Sequence, residues 1–222
     1  MQSFSNFITE GVNDPSIFKA VFLAGGPGSG KSFIVGKTAL TALGFKLGNS
    51  DPAFESALKK AGMSMDPDQI ASAQGQALRN KAKVLTKKSQ ELYIKGRLGL
   101  VIDGTGRDYK KIKKQVDMLR EIGYAVQMVF VNTDLETAIA RNKMRPRSLP
   151  DKMVTDLWKD VQSNIGKFQN LFRNRMIIID NSEGASYERA TQKAYIKISQ
   201  WAKKPPENKH AAAWIKQQHK LR

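Results

Sequence analysis

The chain has 222 residues, of which 41% are hydrophobic and 26% charged, and it contains no cysteine. This length suits one α/β domain with an appended element. The absence of thiols excludes disulfides, thiolate metal sites and cysteine nucleophiles, and both histidines, His210 and His219, fall in the last segment. Chemistry in the core of the domain must therefore come from carboxylates, lysine, arginine and a metal ion that they hold.

The net charge is +17, from 37 Lys and Arg against 20 Asp and Glu. Such a field concentrates anions, whether nucleotides, phosphorylated metabolites or nucleic acid, so nucleic acid stays open as a partner. No apolar run is long enough to span a bilayer, and the N-terminus lacks the basic and hydrophobic regions of a signal peptide. We expect no membrane association, and a reducing compartment fits the missing cysteines.

The hydrophobic pattern predicts strands that alternate with helices after a surface segment over residues 1–19. Alternation of this kind implies a parallel sheet covered by helices, with ligands beyond the carboxyl ends of the strands. Strands are predicted at 20–24, 45–48, 98–103, 125–131 and 176–180, and helices from 33 to Gly44 and at 53–62, 67–95, 108–122, 135–143, 150–172, 186–202 and 209–222.

A glycine-rich loop follows the first strand and matches the pattern G-x-x-x-x-G-K-[ST] at every fixed position. Strand, loop and helix in this order favour a phosphate cradle over a glycine turn without a ligand. Backbone N–H groups would surround a polyphosphate, Lys31 would reach the β- and γ-phosphates, and Ser32 would bind Mg²⁺. We therefore predict a nucleoside triphosphate site formed by Gly25, Gly26, Pro27, Gly28, Ser29, Gly30, Lys31, Ser32 and Phe33.

Two aspartates follow predicted strands. Asp103 ends the third strand before Gly-Thr-Gly, a context that favours a Mg²⁺ ligand, direct or through water, over a cap for helix 108–122. Asp51 follows the second strand, where it could orient and deprotonate an attacking hydroxyl. The alternative for Asp51 is a turn and cap formed by Asn49-Ser50-Asp51-Pro52.

Arginines cluster after the fourth strand. Arg141 and Arg145 are four residues apart and share a helix face, while Pro146 ends the helix and leaves Arg147 on a loop. A lid over about 140–150 that closes on phosphates would use such a cluster, although a solvated basic face is the alternative. Arg107, just after the third strand, is placed to touch an acceptor.

The remaining segments have weaker signals. Asn181, after the fifth strand, is predicted to border the adenine, and Trp158, Phe168 and Phe172 recur at helical spacing that is typical of a core. Residues 203–208 form a linker, and the following helix carries basic residues without an acidic one. That helix is expected to rest on the domain, the alternative being an arm for a partner.

Together these motifs resemble the P-loop kinases of the zeta-toxin and polynucleotide-kinase-like group, particularly the small zeta-toxin-like kinases of tailed bacteriophages. The resemblance spans roughly residues 18–183 and rests on GGPGSGKS, on Asn49-Ser50-Asp51, on VIDGTG and on RNKMRPR. It implies the P-loop NTPase fold, with a five-stranded parallel sheet in the order 2-3-1-4-5. It also implies a kinase domain over 1–203 with a basic extension over 204–222.

The resemblance further implies transfer of the γ-phosphate of ATP to a hydroxyl, with Mg²⁺ as cofactor. Asp51 would be the base, and Lys31, Arg141 and Arg145 would act on the transferring group. Known acceptors in the group range from UDP-linked amino sugars to the 5′-hydroxyl ends of nucleic acids. A nucleotide sugar, a nucleoside and a nucleic-acid end all stay open, and no D-x-D-x-T phosphatase motif is present.

A second hypothesis is an ATP-binding protein or weak ATPase that gates the binding of nucleic acid or a protein partner without kinase activity. The sequence does not indicate an oligomeric state. We expect a cytoplasmic protein, in the host cell if a phage encodes it.

Overall fold

Five parallel strands form the centre of the structure, a computed structural model that describes residues 11–37, 40–145 and 148–220. Their spatial order, β2-β3-β1-β4-β5, confirms the order implied by the resemblance. The central strand β1 pairs with β3 on one side and β4 on the other. The strands are β1 (Lys19–Ala24), β2 (Lys46–Gly48), β3 (Leu100–Asp103), β4 (Ala125–Asn132) and β5 (Met176–Asp180).

Helices cover both faces of this sheet, which confirms the predicted layer arrangement. A 3₁₀ turn, Leu40–Leu43, follows the first helix. The helices are α1 (Lys31–Lys37), α2 (Asp51–Lys60), α3 (Pro67–Ala71), α4 (Ala73–Lys95), α5 (Tyr109–Glu121), α6 (Leu135–Lys143), α7 (Asp151–Gln162), α8 (Ile165–Phe172), α9 (Tyr187–Ala202) and α10 (Lys209–Lys220).

A hydrophobic core lies on each face of the sheet. The strand β1 contributes side chains to both, because successive side chains of a strand point to opposite faces. Phe22 packs into the core under α5, α8 and α10, while Val21 and Leu23 pack into the core under α9. All six residues of β1 are buried. This burial fixes the carboxyl end of β1, and with it the loop that follows.

Two predicted long helices are interrupted. Helix 67–95 breaks at Ser72, whose hydroxyl accepts from the N–H of Gly75 and so starts α4 as a separate helix. Helix 150–172 breaks before α8, at Asn164. The Asn164 amide donates to the carbonyls of Gly106 and Arg107 at 3.2 and 2.7 Å, so the break supports the loop after β3.

The segment before β1 was expected at the surface, and for its described part this prediction is wrong. Ile17 and Phe18 lie in the core under α5, α8 and α10, and Asp14 and Ser16 are also buried. The Asp14 carboxylate accepts from both the N–H and the hydroxyl of Ser16, which satisfies the polar groups of the buried turn.

The C-terminal helix α10 packs against the end of the sheet opposite the carboxyl ends of the strands. Ala211 is fully buried beside Gly123, where a Cβ on the glycine would lie 3.3 Å from the Ala211 Cβ. The Trp214 ring meets the Phe18 ring edge-on, with centroids 5.4 Å apart. One face of the basic helix is thus part of the main core.

We expect Trp214→Ala to lower the free energy of unfolding by about 2 kcal/mol, because it removes apolar cover and the aromatic contact with Phe18. Lys216→Ala, at an exposed position of the same helix, should change it by less than about 0.5 kcal/mol. Urea denaturation of both variants measures the difference. Equal effects would contradict the docking of α10.

Candidate active site

The glycine-rich loop joins the end of β1 to the start of α1 and lies close to its neighbours. Its first N–H, that of Gly25, donates to the carbonyl of Thr105 at 3.1 Å. Gly28 has φ +73°, and a Cβ there would lie 2.3 Å from the carbonyl oxygen of Ala138 in α6. Only glycine allows this conformation and this approach together.

Asn181, after β5, holds the loop from the other side. Its side-chain amide donates to the carbonyl of Ser29 at 2.8 Å, and its own carbonyl accepts from Arg141 Nη1 at 2.7 Å. A Cβ on Gly30, with φ +79°, would lie 2.3 Å from the Asn181 amide nitrogen. The sequence predicted a nucleotide contact at Asn181 but not this support of the loop, which joins residues 152 positions apart.

The predicted site residues other than Asn181 line one cleft with a volume of about 520 Å³. Thr105, Leu149 and Leu157 also line it, and no sequence signal had pointed to the two leucines. The predicted residues that line the cleft are Gly25, Gly26, Pro27, Gly28, Ser29, Gly30, Lys31, Ser32, Phe33, Asp51, Asp103, Arg141 and Arg145.

Asp103 lines this cleft and accepts a hydrogen bond from the Lys31 ammonium group. Both side chains are mostly shielded from water, with exposed fractions of 15% for Lys31 and 18% for Asp103. The cap of α5 is Asp108, which accepts from the N–H of Lys111 at 2.9 Å. The alternative that Asp103 caps this helix is therefore wrong, and its carboxylate lines the cleft instead.

Asp51 is the first residue of α2, directly after β2 and its loop. Its N–H donates to the Asn49 side-chain oxygen at 2.9 Å, so the predicted turn exists and Asn49 makes it. The N-cap residue is Ser50, without a side-chain capping bond. The Asp51 carboxylate is exposed and lines the cleft with the loop and Asp103.

The oxygen donors of this cleft fit Mg²⁺ together with phosphate oxygens. Among the described residues, no group of three or more His, Cys, Asp or Glu side chains could hold a metal alone. Mg²⁺ typically takes one or two protein ligands beside substrate phosphates, and Ser32 and Asp103 could supply them. The Ser29 hydroxyl of the same loop is buried and has no hydrogen-bond partner within the described ranges.

Asn142, in the last turn of α6, ties the arginine segment to Leu149. Asn142 is fully buried, donates to the Leu149 carbonyl at 2.7 Å and accepts from the Leu149 N–H at 3.1 Å. Arg141 is half-buried, Arg145 is exposed, and Arg147 lies outside the described residues. The two Asn142 bonds hold the ends of the predicted lid together. In the sequence, the only indication of this contact was a single amide side chain within a basic segment.

The N-terminus of α6 is tied to the loop after β5. Asp134 accepts from the N–H and the hydroxyl of Thr137, both at 2.7 Å, and these bonds hold the pKa of its carboxyl below the ordinary value. The Asp134 N–H donates to the Ser182 hydroxyl at 3.0 Å. This network sets the position of Arg141 relative to Asn181.

A second cavity of about 390 Å³ adjoins the cleft on the far side of the loop after β3, and Asp103 and Thr105 line both. Gln90, Lys111 and Gln115 are among its polar side chains. Arg107 also lines this cavity, and its guanidinium group pairs with Asp160 at 2.9 Å.

The three aromatic residues predicted for the core differ in their burial. Phe168 and Phe172 are buried, which confirms the prediction for them. Trp158 is half-buried, and its indole N–H donates to the Thr133 carbonyl at 2.8 Å, so the core prediction is wrong for it. A tryptophan can occupy such a half-buried position because its ring packs against apolar neighbours while its ring N–H donates to a backbone carbonyl.

The contribution of Asp134 as the N-cap of α6 can be tested by substitution. We expect Asp134→Ala to lower the free energy of unfolding near neutral pH by about 1 kcal/mol, and Asp134→Asn to keep most of the capping contribution. Because the folded pKa is lowered, the carboxylate stabilises the fold above its ordinary pKa and loses this effect as the pH falls through the lowered value. Between neutral pH and about pH 3, Asp134→Asn should therefore lose less stability than the wild type. Parallel pH profiles would contradict the role of the charge.

Each helix in the described part of the chain is too short or too polar to span a lipid bilayer.

Solved structures share this fold, whereas no curated protein sequence matches the chain. A structure from the PezAT chromosomal toxin–antitoxin system of Streptococcus pneumoniae has a TM-score of 0.55 at 17% identity and covers 89% of this chain and 91% of that one. The AvrRxo1-ORF1:AvrRxo1-ORF2 complex with sulphate ions gives 0.57 at 17% identity, over 74% of this chain and 55% of that one. This chain thus spans about half of that second protein.

The Pnkp1/Rnl/Hen1 RNA repair complex gives a TM-score of 0.50 at 21% identity, over 68% of this chain and 46% of that one. At these identities the likeness concerns the fold alone, which is that of the P-loop kinases. The sequence model described as AAA domain matches residues 21–167. The chain therefore belongs to the AAA domain family of P-loop proteins.

Proposed function

We propose that the protein is a kinase that transfers the γ-phosphate of ATP, with Mg²⁺, to a hydroxyl of an acceptor. The observation that carries this proposal is the single cleft that contains the whole glycine loop, Lys31, two carboxylates and two arginines. Residues 1–203 would form the kinase domain, and 204–222 the basic extension. The bacteriophage and zeta-toxin affiliations belong to the same proposal and rest on the sequence motifs.

The loop and Lys31 would bind the triphosphate. Backbone N–H groups held inward by the Asn181 and Gly28 contacts would donate to phosphate oxygens. On binding, the Lys31 ammonium group would move from Asp103 to the β- and γ-phosphates, which frees the Asp103 carboxylate for the metal. Mg²⁺ held by Ser32 and Asp103 would neutralise charge on the transferring phosphoryl group.

Asp51 would act as the general base. It would accept the proton of the acceptor hydroxyl while the new bond forms between that oxygen and the γ-phosphorus and the bond to the β,γ-bridging oxygen breaks. Its position at the start of α2 supports the role, because the carboxylate lines the cleft without serving as the helix cap.

Arg141 and Arg145 would neutralise the charge of the transferring group. Arg141 is already oriented by its bond to the Asn181 carbonyl, whereas Arg145 is exposed at the rim of the cleft. Preorganised cations act most strongly where water is excluded, so closure of the segment beyond Asn142 would increase their effect.

The second cavity supports an acceptor position beside β3. It adjoins the cleft through Asp103 and combines apolar walls with Arg107, Lys111 and two glutamine amides. A volume of about 390 Å³ admits a group of nucleoside size. A nucleotide sugar, a nucleoside and the 5′ end of a nucleic acid are the acceptor classes proposed.

The basic end of the molecule favours a second candidate function. Lys209, Lys216 and Lys220 lie on α10, at the end of the sheet opposite the cleft, where nucleotide binding does not account for their charge. An ATP-gated protein that binds nucleic acid or a partner without phosphorylating it would use this surface. Slow ATP hydrolysis without acceptor labelling, together with a steep salt dependence of nucleic-acid affinity, would favour it.

The test is transfer of labelled γ-phosphate to a panel of nucleotide sugars, nucleosides and 5′-hydroxyl oligonucleotides. We expect Asp51→Asn to reduce transfer by about 10²- to 10⁴-fold with unchanged ATP affinity, because only the base is lost. Glu55→Gln, an exposed acid one turn further along α2, is the matched control and should retain activity. Full transfer by Asp51→Asn would refute the base assignment, and absence of any labelled acceptor would favour the second candidate.

A further inference from the structure

We infer that the nucleobase is bound by stacking on the Phe33 ring, and that the site therefore accepts adenine and guanine with similar affinity. This inference rests on the proposed function, since it concerns the base of the nucleotide whose phosphates the loop would bind. It goes beyond that function by assigning the binding mode and the base specificity.

The two sides of the cleft differ in charge, which gives the nucleotide a direction. Asp51 and Asp103 follow β2 and β3, on one side of the loop, and the acceptor would lie there. Arg141 and Arg145 line the cleft after β4, on the other side. A triphosphate whose γ-phosphate faces the carboxylates must extend its nucleoside away from them, past the start of α1.

Phe33 lies on that path, within the first turn of α1. It lines the cleft, and 48% of its surface is exposed. The Tyr187 ring meets it at a centroid distance of 5.8 Å and an angle of 68°, an edge-to-face contact. Tyr187 itself packs against the core under α9, so the Phe33 ring is held in place.

Two polar side chains of the loop after β5 are engaged within the protein. The Asn181 amide donates to the Ser29 carbonyl, and the Ser182 hydroxyl donates to Asp180 at 2.7 Å. Side-chain hydrogen bonds at the edge of a base would need these groups to leave their partners. Stacking tolerates every base, because each base has a π-face.

Calorimetry with Mg·ATP, Mg·GTP and Mg·tripolyphosphate tests this inference. Phe33→Ala should weaken the binding of ATP and of GTP by at least about fivefold, since stacking on an aromatic side chain contributes on this scale. Tripolyphosphate has no base, so its affinity should change by less than about twofold. Phe33→Trp keeps a stacking surface and should bind both nucleotides about as well as the wild type.

Three results would overturn the inference alone: unchanged nucleotide affinity in Phe33→Ala, an equal loss for tripolyphosphate, or a wild-type preference between ATP and GTP above about 100-fold. An equal loss would mean that Phe33 supports the loop instead of the base. Wild-type protein that binds none of the three ligands would contradict the proposed function itself. The two failures are thus distinguishable.

Discussion

The close approach of the glycine loop to α6 and to the loop after β5 is the contact on which the site depends. Gly28 lies where a Cβ would meet the Ala138 carbonyl, and the Asn181 amide binds the Ser29 carbonyl. These contacts satisfy the outward carbonyl group of Ser29 and hold the loop as a narrow turn, so its N–H groups are available on the cleft side. Arg141 joins the same arrangement through the Asn181 carbonyl.

A second constraint is the balance of charge inside the cleft. Lys31 and Asp103 neutralise one another while both are mostly shielded from water. Isolated charges would be costly there, but a pair can exchange partners for a phosphate and a metal ion without exposing either charge. Asp51 stands apart, exposed at the start of α2, where the proposed acceptor hydroxyl would meet it. The arrangement separates the groups that would bind phosphate from the group that would move a proton.

Features carried by local sequence were predictable. Motifs beside strand ends predicted the glycine loop and the cleft positions of Asp51 and Asp103. Through the resemblance, the same motifs also predicted the strand order. Side-chain amides that join distant segments were not predictable, because their partners are far apart in sequence: Asn164 supports the loop after β3, and Asn181 supports the glycine loop. Periodicity also missed the break at Ser72, since apolar spacing continues across it.

The role of the glycine loop in phosphate binding is tested most directly by a structure of the protein with Mg²⁺ and a non-hydrolysable ATP analogue. We expect the β-phosphate within the loop of residues 25–32, the Lys31 ammonium group on the phosphates, and the Asp103 carboxylate turned to the metal. A nucleotide bound elsewhere, with Lys31 still paired to Asp103, would contradict this role.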